Sequence, residues 1–196
     1  MRKIWIFLVK MSGWRLDAVD VSERPEVLHC VVAVAPHTSA ADFLLGPAML
    51  FEAGARPRIF IKKEFFNIFT RRFLRHVGAV EVNRGCRHNH LVDKAVEILK
   101  NEQHACIVIT PEGTRKSVRR FHRGFYEIAQ RAGVPIVLGY IDYKDKRMGY
   151  GPTIYPTGDF DADVKKMTDF FAPIHARHPE GWYWGTAHSD KQHTGK

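Results

Sequence analysis

The stretch VLHCVVAVA, residues 27–35, narrows the fold more than any other part of the chain. It is rich in Val and free of Asp, Glu, Lys and Arg, so neither of its faces suits contact with water. A strand of that kind sits inside a parallel sheet covered by helices on both sides. His29 within it reads as a hydrogen-bonded core residue. The run ends at Pro36 and hands over to HTSAADF, residues 37–43. Open α/β sheets bind ligands beyond the carboxyl ends of their strands, and His37 is delivered to that edge. Asp42 follows five residues later, far enough for a turn to bring a carboxylate to the imidazole at the start of a helix.

The rest of the chain alternates in the same way. Residues 42–53 read as a helix closed by Gly54, with Gly46 and Pro47 marking an early irregularity. RIFI, residues 58–61, is a short strand. Phe65, Phe66, Phe69, Phe73 and Val77 then recur at helical spacing, with Arg71, Arg72 and Arg75 mainly on the other side. This predicts one basic amphipathic helix. Its Phe stripe reads first as packing and second as a surface for lipid headgroups and acyl chains.

Further strands are expected over 78–82, 105–109 and 134–141, with helices over 90–100, from Gly124 onward, and over 161–171. Residues 140–155 read as a hairpin about the polar turn DYKDKRMG. The sum is an α/β layered domain with a mostly parallel central sheet flanked by helices and a C-terminal hairpin. At 196 residues the chain suits one core, which we place over 15–185. HPEGWYWG is expected to pack back through its aromatics, and 186–196 to form a disordered tail.

The first 14 residues hold only six unbroken apolar positions, Ile4 to Val9, against the roughly 20 that a spanning helix needs. Lys10 closes that run too early for a good signal peptide. Arg2, Lys3 and Lys10 with Trp5 and Trp14 give the composition of an interfacial helix, and a first helix packed on the domain fits equally well.

Thirty Lys and Arg against 21 Asp and Glu leave a net charge of +9 and a pI near 9.6. That excess favours anionic partners: a phosphate-bearing surface, nucleic acid or an acidic carrier protein. Cys30, Cys86 and Cys106 form no CxxC pair and are expected as free thiols, the first and last buried, in a reducing compartment. His175, His178, His188 and His193 match no common zinc spacing, so no metal is expected.

A His followed at the fifth position by Asp is weak evidence alone, and the chain repeats it at His88 and Asp93. No buried strand delivers that second pair, and His88 reads as a solvated residue near a helix start. The first pair keeps better company. Lys62 and Lys63 follow RIFI, Arg84 follows the strand at 78–82, and Glu112, Gly113, Thr114 and Arg115 follow the strand at 105–109. Four strand ends thus carry polar groups at one sheet edge.

HTSAADF, KKEFF, VNRG, PEGTRK and GVPIVLG resemble, in order and approximate spacing, the conserved blocks of the glycerolipid acyltransferases of the lysophosphatidic acid acyltransferase type. The resemblance covers about residues 27–160 and is to a short bacterial branch. It implies that His37 is a general base with Asp42 as its partner. It implies also that Glu112, Gly113, Thr114 and Arg115 form the acceptor-binding loop, that Arg84 and Lys62 add anion contacts, and that Val134, Pro135 and Ile136 fall near the acyl chain.

The implied reaction moves a fatty acyl group from acyl-ACP or acyl-CoA, as co-substrate, to the hydroxyl of 1-acylglycerol 3-phosphate, with no bound cofactor. The implied setting is peripheral, on the cytoplasmic face of the inner membrane, with a lysophospholipid, a carrier or coenzyme A thioester and the membrane surface as partners.

The chemistry suits the residue types. A hydroxyl attacks a thioester well only as its proton is removed, and neutral imidazole serves as the base near neutral pH. Arg115 offers a planar fork for phosphate, and Glu112 is expected to orient Arg115 or bind a glycerol hydroxyl. Pro36, Ala41, Asn83, Lys116 and Leu138 depart from the family's commoner residues, which keeps another acceptor, such as a lyso-aminolipid, as an alternative. A non-catalytic basic module is the rival from another class. Its basic residues would form one stripe with exposed aromatics, whereas here they cluster at strand ends, and no nucleic acid is expected.

Overall fold

The computed structural model describes residues 2–82 and 88–183, with the side chains of 88 and 89 excepted. Arg84 and the tail at 186–196 lie outside the described residues, as do Cys86 and the side chain of His88.

The chain begins with helix α1 (Arg2–Met11), the two-residue strand β1 (Arg15–Leu16) and a single 3-10 turn, Pro25–Leu28. Strand β2 (Cys30–Val34) follows, then α2 (Asp42–Glu52) and β3 (Arg56–Lys62). Next come α3 (Arg71–His76), β4 (Ala79–Val82), α4 (His88–Asn101) and β5 (Ala105–Ile109). The last elements are α5 (Gly124–Ala132), β6 (Ile136–Asp142), β7 (Arg147–Ile154) and α6 (Phe160–Phe171).

The strands form one seven-stranded sheet in the order β1-β7-β6-β2-β5-β3-β4. All pairings are parallel except the β6–β7 hairpin, so the expected α/β architecture with its late antiparallel addition is the one observed. Alternate residues of β2 explain the layering. Val31 and Ala33 face a core shared with α4, α5 and α6, whereas Cys30, Val32 and Val34 face α1 and α2. Every residue of β2 is buried, as the charge-free run requires.

Two local expectations are corrected. The strand starts at Cys30 rather than Val27, because Pro25 opens a 3-10 turn that carries Val27 and Leu28. The Phe-rich segment is also not one helix: only Arg71–His76 is α-helical, after a 3-10 turn at Lys63–Phe65. Asn67 and Thr70 break the pattern. The Asn67 carboxamide oxygen accepts from the backbone N–H of Phe69 and of Thr70, and the Thr70 hydroxyl bonds the Phe65 carbonyl and accepts from the Asn67 N–H. Such side-chain bonds offer the backbone an alternative to helix. Phe65, Ile68 and Phe69 are left exposed in consequence, Phe69 at 90%.

Helix α1 does pack on the domain. Val9 is buried, the Trp5 ring stacks on Phe73 at 5.2 Å, and the Trp5 indole N–H donates to the Leu44 carbonyl at 3.0 Å. Its outer side keeps Ile4, Phe7, Leu8 and Met11 in solvent. Among the described residues no helix is long and apolar enough to cross a membrane. Cys30 and Cys106 are buried free thiols on neighbouring strands, and Trp182 packs back with its ring 6.5 Å from Phe171.

Candidate active site

Parallel neighbours β2 and β5 set the site. Ala33 pairs with Ile109, so the loops that leave the two strands rise side by side from one sheet edge. His37 lies on the first loop and Glu112 on the second. The His37 backbone N–H donates to Glu112 Oε1 at 3.0 Å and ties the loops together.

The turn after His37 closes as its sequence suggests. Asp42 Oδ2 accepts from the Ser39 backbone N–H at 3.1 Å and from His37 Nδ1 at 2.9 Å. Because an ionised carboxylate only accepts, this contact assigns the proton to Nδ1 and leaves Nε2 as the basic nitrogen. Asp42 is 6% exposed, and the His37 side chain keeps 21% of its surface. Ser39 and Thr38 are turn residues, as their types predict. Ser39 Oγ accepts from the Ala41 N–H, and Thr38 Oγ1 from the His178 N–H.

Glu112 is 2% exposed, and its second oxygen has no hydrogen-bond partner among the described residues. Burial pushes its pKa up to about 7, against the opposing pull of the His37 N–H. Its observed contact is with the histidine's backbone, and no ion pair or hydrogen bond joins it to Arg115 among the described residues. Arg115 is exposed and makes no ion pair among the described residues. Gly113 has φ +66, and a Cβ there would lie 2.7 Å from the His122 ring, so the loop's turn and its contact with His122 both need glycine. Lys62 ends β3 at the same edge and is exposed.

His37 and Asp42 open onto a cavity of about 650 Å³. Its walls are Gly46, Met49 and Leu50 of α2, Ile59 to Ile61 of β3, Val108 and Ile109 of β5, and apolar residues of α4 and α5. Gly113 and His122 stand at its polar end with the dyad. Val134, Pro135 and Ile136 do not line it. Ile136 pairs with Val31, six residues before His37, which puts these residues roughly 20 Å down the strands, toward the opposite end of the sheet.

Three contributors escaped the sequence reading. His122 lies in the basic loop and carries no motif. Tyr143 donates its hydroxyl to Asp42 Oδ1 across 101 residues of chain. Arg177 reaches Ser39 Oγ at 3.5 Å. Only the polar turn DYKDKRMG hinted at Tyr143, and it hinted at a hairpin.

A His–Asp dyad thus stands at the carboxyl edge of a parallel sheet and opens onto a largely apolar cavity, an arrangement that can supply a base beside a bound apolar group. In a comparison with protein families, the family model described as Acyltransferase matches residues 19–140, more than half of the chain. The protein belongs to the acyltransferase family. No curated protein matches the chain.

Proposed function

We propose that the protein moves a fatty acyl group from acyl-ACP or acyl-CoA to the free hydroxyl of a lysophospholipid, 1-acylglycerol 3-phosphate being the acceptor that fits best. The observation that carries this reading is the His37–Asp42 pair at 2.9 Å on the mouth of an apolar cavity of about 650 Å³.

His37 Nε2 takes the acceptor's hydroxyl proton as the oxygen attacks the thioester carbonyl. Asp42 holds Nδ1–H and stabilises the imidazolium that forms. The tetrahedral intermediate expels the thiolate, which takes the proton from His37, leaving an ester and a free thiol. The substrate supplies the only nucleophile, and no cofactor or metal enters a step. Arg115 and Lys62 receive the acceptor's phosphate, and Glu112 holds the loop that carries His37. The cavity takes an acyl chain, in place of the region about Val134 to Ile136.

The surface beside the cavity supports docking on an anionic membrane from one side. Leu44, next to Phe43 of the cavity wall, is exposed, as are Phe65, Ile68, Phe69 and the outer side of α1, and Trp5 ties α1 to both neighbouring segments through its stack on Phe73 and its bond to the Leu44 carbonyl. Arg2, Lys3, Lys62, Lys63, Arg71, Arg72 and Arg75 are exposed on or next to these same segments of the chain. Apolar groups entering the acyl boundary with cations at headgroup level is the pattern of a peripheral protein, and it fits the cytoplasmic face of the inner membrane.

The test is thiol release from acyl thioesters with a panel of lyso-lipids. His37→Ala is expected to lose about a thousandfold in kcat, the scale of a lost general base. Retention of wild-type turnover in that variant would refute the mechanism. Arg115→Ala is expected to raise KM for a phosphorylated acceptor only. An equal loss with a phosphate-free acceptor moves the assignment to another lyso-lipid.

A further inference from the structure

A buried carboxylate that serves a histidine must have its remaining lone pairs satisfied, or the histidine sees a poorly held charge. Two of the donors to Asp42 come from its own loop. The third comes from the hairpin: the Tyr143 hydroxyl sits 2.5 Å from Asp42 Oδ1. Tyr143 is the first residue after β6 and lies beyond the residues that the family model matches.

Its ring is fixed on several sides. Trp14 meets it edge-on at 5.0 Å, and the Arg177 guanidinium lies 5.9 Å from its centroid while reaching toward Ser39. The Tyr143 backbone N–H donates to the His175 carbonyl at 2.9 Å, and Asp142 Oδ1 accepts from the Lys144 N–H, so the turn itself is pinned. Burial, with the hydrogen bond to Asp42 second, holds the phenol protonated far above neutral pH. The hydroxyl can therefore serve Asp42 as a donor throughout the working range.

We infer that Tyr143 is a positioning residue for the His37–Asp42 dyad: it fixes the Asp42 carboxylate from the side opposite His37 and sets how tightly the dyad holds a proton. This deepens the proposed function and rests on the dyad acting as its base. In the resting state the dyad carries one negative charge, and with His37 protonated it carries none. A donor on Oδ1 stabilises the charged resting state more than the neutral pair. Removing it makes the dyad bind its proton more tightly. The acid limb of the pH–rate profile then moves to higher pH. The titratable and charged groups facing this centre are His37, Glu112, Arg177 and the His175–Asp142 pair, which contacts the base of the same turn. Glu112, whose pKa burial pushes up to about 7, is common to wild type and variant, so the comparison isolates the phenol.

Tyr143→Phe keeps the ring and removes the hydroxyl. We expect kcat about tenfold lower, KM for both substrates within about twofold, and an acid limb raised by about one pH unit, the scale of one hydrogen bond to a charged group. The same shift is expected in the His37 Cε1–H titration followed by NMR, which needs no substrate. Combined with His37→Ala, the substitution should cost nothing further. Lys144→Ala, on the same turn, should leave both curves in place. Wild-type curves in folded Tyr143→Phe, or a further loss beyond His37→Ala, overturn the inference. If wild type releases no thiol with any lyso-lipid, the proposed reaction fails, and the NMR titration alone still decides the role of Tyr143.

Discussion

Glu112 gives the sharpest stability prediction. Its carboxyl is 2% exposed, with one oxygen on the His37 N–H and the other unpartnered among the described residues. Its pKa of about 7 in the fold stands against 4.5 for an ordinary Glu. Below 4.5 both the folded and unfolded chains hold this proton, so it contributes no difference. As pH rises from 4.5 to 7 the unfolded chain releases it while the fold retains it, and stability falls through that window. The full cost is about 3 kcal/mol above the folded pKa.

Glu112→Gln keeps an acceptor for His37 and cannot ionise. Its new amide donor lacks an acceptor where Oε2 stood, a penalty of about 1–3 kcal/mol that does not vary with pH. The variant-minus-wild-type difference, from urea unfolding followed by Trp fluorescence, should therefore shift in the variant's favour by about 2.5 kcal/mol between about pH 5 and pH 8. Two pH–stability curves that run parallel over that range would refute the assignment of a buried, protonated Glu112.

Other outcomes follow from the cavity and the surface. Gly46→Leu places a side chain where a Cβ meets nothing within 4 Å, and should shift donor preference toward shorter acyl chains in a thioester panel. Its stability should change by less than about 1 kcal/mol, because the helix gain over glycine offsets the crowding before Pro47. An unchanged chain-length profile would remove the cavity as the acyl site. Ile68→Ser with Phe69→Ser removes two exposed apolar side chains, each worth about 1.5–3 kcal/mol if buried in lipid. Sedimentation with phosphatidylglycerol vesicles should drop at least about tenfold, with activity on monomeric substrate preserved.

Much of the site was legible along the chain because its first contacts are local. His37, Ser39 and Asp42 fall within one turn, and a charge-free strand before them could only be the middle of a covered sheet. The ends of β2, β3 and β5 then had to bring their polar loops to one edge, since parallel strands point the same way. Residues 65–77 were misleading for an equally local reason. Apolar spacing proposed a helix, while Asn67 and Thr70 bonded the backbone first, and what periodicity marked as packing became exposed surface.

The partners that come from afar were set by topology. Glu112 meets the His37 backbone because β5 inserts beside β2, and Tyr143 meets Asp42 because the β6–β7 turn closes over the same edge. Neither contact has a sequence period. The candidate base and its aspartate were thus written in seven consecutive residues. How that aspartate is held, how far burial raises the Glu112 pKa, and which residues wall the apolar cavity depend on burial and on the order of strands, which only the assembled sheet decides.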